Sequence, residues 1–360
     1  MNSMKNTILT ILFSLSLLIV IAKHVRRPII TKPLQTRPVI GILTQPVYGD
    51  PNTQYIAASY VNWLESAGAR SIAIPQNADN ATIDAIFPHI HGVLLPGGAD
   101  VNMQDSVRRL WELALKSNDE GEVFPVWASC LGFEMVVTLV GTNSKEEQKD
   151  FDILLKNYDS ENIALPLDFT DQVSLSNLFA NPHLRHMART ENITMNNHMN
   201  GIKPETFMSN KSLSKMFRII STNVDRNNQP FVSTIEAKDY PIYGVQWHPE
   251  KTMFEYNTFD DGTDTPKEVI PHTADAVRLS FEMSMAFVDK ARESTHTFVA
   301  QKESPFVWNY PRVKSESFQV KYLIDVSAWN DKDRSIVTSE THESFNEMQS
   351  DQDTASTFEN

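Results

Sequence analysis

One cysteine, Cys130, stands in a chain of 360 residues. No intramolecular disulfide can form, and a lone thiol in a chain read below as entering an oxidising compartment needs another reason to be there. Metal-binding patterns are also missing: there is no HExxH and no CxxC, and the histidines lack ligand spacing, so neither a metal nor any other cofactor is expected. No P-loop or GxGxxG occurs, and the paired glycines of LLPGGAD lack the lysine and the helix of a phosphate cradle. Basic residues are outnumbered, 32 Lys and Arg against 45 Asp and Glu, with no local basic patch. A polyanion would meet net repulsion, and nucleic acid is excluded as an expected partner. There is no internal repeat, and the apolar run ILTILFSLSLLIVIA is too short to span a bilayer comfortably.

That run, behind Lys5 and within residues 1–22, has the length of a signal peptide. It predicts the secretory pathway, with secretion or a lysosome or vacuole as destination. Lys23, His24, Arg26 and Arg27 follow directly and would also suit an uncleaved anchor, the one route to membrane attachment expected here. Sequons at Asn80, Asn192 and Asn210 are compatible with that route. From about residue 330 to 360 polar and acidic residues dominate, too few of them apolar to offset the entropy of ordering, and a disordered acidic tail is expected. Hydrophobic residues make up 41% and charged residues 21% of the whole, values of an ordinary packed globular chain.

Between these ends, apolar runs alternate with helical spacing. Val39–Leu43 reads as a strand, 55–67 as a helix stopped at Gly68, Ser71–Ile74 as a strand and Ile83–Phe87 as a helix. HGVLLPGGAD sends a strand into a turn, a helix follows over about 107–116, and FPVWASC leads through Gly132 into a helix over 133–140. Further on, 231–236 and 241–246 read as paired strands and 273–290 as a long helix. This alternation predicts an α/β fold with a mostly parallel central sheet between helical layers, and sites in such folds sit at the carboxyl ends of strands.

FPVWASCLGFEMV carries the strongest chemical signal. A strand turning sharply into a helix, with small residues at 128 and 132, is the arrangement of a nucleophile elbow. At a helix N-terminus the unpaired N–H groups and the dipole favour a thiolate, so Cys130 is expected to be a nucleophile rather than a buried small hydrophobe. Gly97 and Gly98 allow a backbone N–H to lie beside that of Leu131, where an oxyanion would form; a plain tight turn is the competing reading. In YGVQWHPEK a strand ends at His248, Pro249 stiffens the exit, and Glu250 lies two residues on, placed to orient the imidazole.

RPVIGILTQP, YIAASYVNWLESAGAR, LLPGGAD, FPVWASCLGFE and YPIYGVQWHPEK together resemble the γ-glutamyl hydrolases, which cleave folate poly-γ-glutamates, within the class I glutamine amidotransferase-like superfamily. The resemblance implies a three-layer α/β/α fold over about residues 37–325, a Cys130, His248 and Glu250 centre, an oxyanion site at Gly98 and Leu131, a thioester acyl-enzyme, a small-molecule substrate and a homodimer. It also implies substrate contacts at Tyr60, Gly97, Glu134, His198 and Gln246, although Tyr60 and Gln246 also suit core positions, Glu134 a first helical turn and His198 a surface loop. Position 128 is alanine where the family usually has glycine, which predicts a small change in elbow geometry, since alanine disfavours positive φ. A glutaminase that feeds ammonia to a synthetase uses the same triad, though no synthetase pattern follows in the sequence, and a non-catalytic binding protein on an inherited hydrolase fold is the other reading.

Overall fold

The computed structural model describes residues 34–99, 103–142, 148, 151–299 and 306–327. The expected leader (1–22) and tail (330–360) lie outside them. The described residues from Gln35 onward form one compact unit. Among the described residues no helix is long and apolar enough to cross a membrane.

Eight strands form the central sheet: β1 Val39–Leu43, β2 Arg70–Ile74, β3 Gly92–Leu95, β4 Val126–Ser129, β5 Asp168–Phe169, β6 Phe217–Val224, β7 Pro230–Ala237 and β8 Ile242–Val245. Their spatial order is β2-β1-β3-β4-β8-β7-β6-β5. Pairing is parallel from β2 to β8 and antiparallel from β8 to β5. The mostly parallel sheet expected from the alternation is therefore present, with an antiparallel extension on one side. Of the helices that matter for the site, α1 spans Ala58–Ser66, α2 Asn80–Ile86, α3 Asp105–Asp119, α4 Leu131–Gly141 and α5 Ala274–Arg292.

The two-residue period of the strands explains the three layers. Val39, Leu43, Val93, Leu95, Val126 and Ala128 share one core with Ile83 and Ile86 of α2, Leu110 of α3 and Phe133 of α4. Their neighbours Ile40, Ile42, Leu94 and Trp127 share the other with Trp63 and Leu64 of α1 and Met283 and Phe287 of α5. Trp127 lies at the centre of this second core, with ring centroids 5.0 Å from Trp63 and 5.9 Å from Phe287. Both indole N–H groups are satisfied, Trp63 by the Ser280 carbonyl at 2.9 Å and Trp127 by Ser129 Oγ at 2.9 Å, so these large rings are buried without an orphaned donor.

One helix departs from its sequence reading. The 55–67 run is not all helix: Asp50–Ala57 is a strand, in which Tyr55, Ile56 and Ala57 pair with Leu323, Tyr322 and Lys321, and the helix begins at Ala58. The pairing partner lies far along the chain, so helical spacing overran the boundary. A second small sheet, Ser160–Leu165 against Thr194–His198, had no clear sequence signal and brings His198 opposite Ser160.

Candidate active site

Three neighbouring parallel strands, β3, β4 and β8, end at the same edge of the sheet and deliver the loop at Gly97, the elbow at Cys130 and the segment Gln246–Glu250. β8 stops at Val245, three residues before the strand end expected at His248. Hydrogen bonds carry the chain onward: Gln246 N–H donates to the Ser233 carbonyl at 2.9 Å and His248 N–H to the Met195 carbonyl at 2.8 Å.

Cys130 has φ 48° and ψ −108°, a conformation costly for a side-chain-bearing residue and typical of functional positions. Its N–H donates to the Val245 carbonyl at 2.8 Å and its carbonyl accepts from Glu134 N–H at 3.0 Å, so both neighbours over-determine the turn. The positive φ falls on Cys130 itself while Ala128 stays within β4. The geometric change expected from alanine at 128 thus has no torsional cause. Gly132 has to be small, because a Cβ there would lie 2.1 Å from the Leu95 carbonyl oxygen, where α4 presses on the end of β3.

Around one point the side chains converge. A Cβ built on Gly97 would sit 2.7 Å from His248 Cε1, 2.9 Å from the Tyr60 hydroxyl and 3.3 Å from Cys130 Cβ. His248 Nδ1 is 2.7 Å from Glu250 Oε1; the carboxylate accepts, so Nδ1 carries the hydrogen and Nε2 is left as the basic nitrogen. Both side chains are almost fully buried, at 7% and 1% exposure. Tyr60 accepts the Gly97 N–H at 2.7 Å and is itself buried behind the loop. Burial, then the nearby Glu250 and Cys130, keep its phenol neutral. It fixes the loop, and the Gly97 N–H, being occupied, leaves Gly98 as the candidate oxyanion donor in this turn. Gly98 is exposed and adjoins Leu131, whose Cδ2 would be 3.1 Å from a Gly98 Cβ.

The expectation of a resting thiolate at Cys130 is not met. Burial pushes the thiol up, Glu134 and Glu250 push it further, and Lys251 and the Leu131 N–H only partly oppose them. Desolvation of a charge outweighs a helix N-terminus here, which favours a neutral thiol that must pass its proton to a base at the moment of attack.

Beyond the sulfur lies a second polar wall. Glu134, one helical turn from Cys130, accepts from Gln246 Nε2 at 3.0 Å and Asn200 Nδ2 at 3.4 Å. His198 Nδ1 is 2.7 Å from the Asn200 carbonyl, which can only accept; burial lowers the ring to about 4, so it is neutral with Nε2 as an acceptor. His198 Nε2 and Gln246 Oε1 are buried without partners. Unpaired buried acceptors cost about 1–3 kcal/mol each, a cost a bound donor would remove. The structure thus places the candidate catalytic, oxyanion and substrate-contact residues around one point. Asn197 and Asn200 join the site without a motif of their own in the sequence; the Asn197 carbonyl is 4.0 Å from Cys130 Sγ.

Glu134 gives a stability prediction. Burial pushes its carboxyl up to about 7, against the pull of the Gln246 and Asn200 amides. The folded state therefore holds a proton that the unfolded state, near pH 4.5, has released, and stability from this group is present at low pH and lost as pH rises toward 7. His91 and His198, both lowered to about 4 by burial, act oppositely: they favour the folded state increasingly as pH rises from about 4 to 6.5. Glu134→Gln removes only the first contribution. The difference in Tm, variant minus wild type, is expected to grow between pH 4.5 and pH 7 in thermal melts; a difference that shrinks would contradict the assignment.

A model of the family described as Peptidase C26 matches residues 38–250. The chain is 34% identical to gamma-glutamyl hydrolase B of Dictyostelium discoideum over 341 residues, 89% of this chain and 92% of that protein. It is also 34% identical to gamma-glutamyl hydrolase of Homo sapiens over 304 residues, 80% of this chain and 90% of the other. Among solved structures, the glutaminase domain of Trypanosoma brucei CTPS with bound acivicin aligns with a TM-score of 0.45 at 15% identity, over 75% of this chain and 99% of that one.

Proposed function

Because this chain belongs to the peptidase C26 family, we propose that it hydrolyses γ-glutamyl amide bonds through a thioester on Cys130, with folate poly-γ-glutamates as substrate. The observation that carries the reading is the convergence at Gly97: nucleophile, imidazole and supporting hydroxyl meet where only a hydrogen atom fits. Relatives named gamma-glutamyl hydrolase, matched over most of both chains, support the reaction class.

In this reading His248 Nε2 takes the thiol proton as Cys130 Sγ attacks the γ-carbonyl carbon. The carbonyl electrons move onto oxygen, and the Gly98 and Leu131 N–H groups receive the charge. The tetrahedral centre collapses, the C–N bond breaks, and the departing amine takes the proton from His248. Water then enters, gives a proton to the same nitrogen and attacks the thioester; the acid leaves and the thiol is restored. Glu250 holds the imidazole tautomer and balances the imidazolium. Glu134, Gln246 and His198 line the acyl side, where the two unpaired acceptors suit an N–H donor of the substrate.

The test is product analysis after incubation with a folate polyglutamate ladder, beside free glutamine. Shortened folates with released glutamate or γ-linked glutamyl peptides are expected. Ammonia from glutamine, with the ladder untouched, would instead favour a glutaminase. The secretory destination and a homodimer remain part of the proposal through the leader and the family resemblance.

A further inference from the structure

Residues 255–272 lie beyond the segment matched by the family, which ends at Glu250. They form a strap folded back on itself, with Phe259 N–H bonded to the Thr265 carbonyl at 3.0 Å and Lys267 N–H to the Asn257 carbonyl at 2.9 Å. Two residues of the strap reach the hydrolytic site. Val269 N–H donates to Asn162 Oδ1 at 2.7 Å, and Asn162 N–H in turn to Asn197 Oδ1 at 3.0 Å. Glu268 Oε1 accepts from Asn197 Nδ2 at 2.9 Å and from Lys251 Nζ at 2.5 Å. Lys251 follows Glu250 directly and is 3% exposed. Asn197 precedes His198, and its carbonyl faces the Cys130 sulfur.

We propose that Glu268 is a positioning residue of the hydrolytic site: one carboxylate oxygen holds Lys251 and Asn197 together, and through them sets where the Cys130 sulfur sits and how much positive charge it faces. The proposal rests on Cys130 being the nucleophile. A buried ammonium needs a partner, and the partner chosen comes from the strap, so the strap is part of the apparatus. The charged and titratable groups facing the sulfur are Glu134 from α4, His248, Glu250 and Lys251 from the segment after β8, and Tyr60 from α1. Those facing Lys251 are Glu268, Glu250 and Glu255, with the Phe318 ring 5.6 Å from Nζ. Lys251 is the lysine in the first set, and Glu268 is its direct salt-bridge partner.

Cys130 is the only cysteine, so alkylation of the native full-length chain by iodoacetamide reports this sulfur alone. Glu268→Gln removes the direct counter-ion of Lys251, and the pH midpoint of alkylation should fall by about half a pH unit, about threefold faster reaction on the rising limb. Lys251→Met leaves the carboxylate uncompensated and should raise the midpoint by a similar amount. Both should lower kcat about tenfold with KM within about twofold, as expected of misplacement rather than lost substrate contact. A purely structural role would change the plateau rate of both variants in one direction and leave the midpoints in place; that result, or midpoints moving the same way, overturns the proposal. If Lys251→Met fails to fold, the downward midpoint of Glu268→Gln decides alone, supporting the proposal when present and overturning it when absent. Full hydrolysis by Cys130→Ala would instead overturn the reading of the site on which it rests.

Discussion

Replacing Cys130 with alanine will lower kcat/KM toward γ-glutamyl substrates by about four orders of magnitude or more, because the covalent route is lost and no other group can replace it. The sulfur is the only thiol, it occupies a backbone conformation that costs energy, and His248 lies across Gly97 from it. The neighbouring groups have other tasks: Tyr60 is neutral and accepts the Gly97 N–H, and Glu250 Oε1 holds His248 Nδ1. The fold should survive, since alanine keeps the Cβ and loses a small buried atom. Single-turnover and steady-state rates on the variant, with a far-ultraviolet spectrum matching wild type, check this; residual turnover within tenfold of wild type would contradict it.

Gly132→Ala will destabilise the protein by about 3 kcal/mol. The added Cβ would approach the Leu95 carbonyl oxygen at 2.1 Å and its carbon at 2.7 Å. Those atoms are backbone of β3, fixed in the sheet between β1 and β4, so α4 must move instead. Its movement carries Leu131 and Glu134 away from the sulfur, and activity should fall with stability. Gly98→Ala is the contrast. There the 2.1 Å neighbour is the end of the Gln45 side chain, which can swing aside, so the stability cost should stay below about 1 kcal/mol. Urea unfolding of both variants distinguishes them, and equal midpoints would show that α4 does not rest on β3 as described.

Much of this arrangement is legible in the sequence. β1 and β2 and the helix–strand alternation up to α4 follow from apolar periodicity, and the site follows from where the strands stop. FPVWASCLG and YGVQWHPEK each place chemistry at a strand end, and parallel pairing of β4 with β8 then brings the two ends side by side. What was not legible depends on contacts distant in sequence. Tyr55–Ala57 looked helical because their partners, Lys321–Leu323, lie at the far end of the described chain. The thiol looked acidic because a helix N-terminus is a local feature, whereas the burial that outweighs it comes from packing of separate segments. Glu268 carried no signal in its own neighbourhood; its meaning arises only where the strap meets Asn197 and Lys251.

Acid quenching of a reaction at saturating substrate, followed by peptide mass analysis, tests the thioester route most directly. The expected result is a γ-glutamyl adduct on the peptide that contains Cys130, appearing within the first turnover and absent from Cys130→Ala. Steady hydrolysis with no adduct on that peptide, or an adduct on another residue, would contradict it.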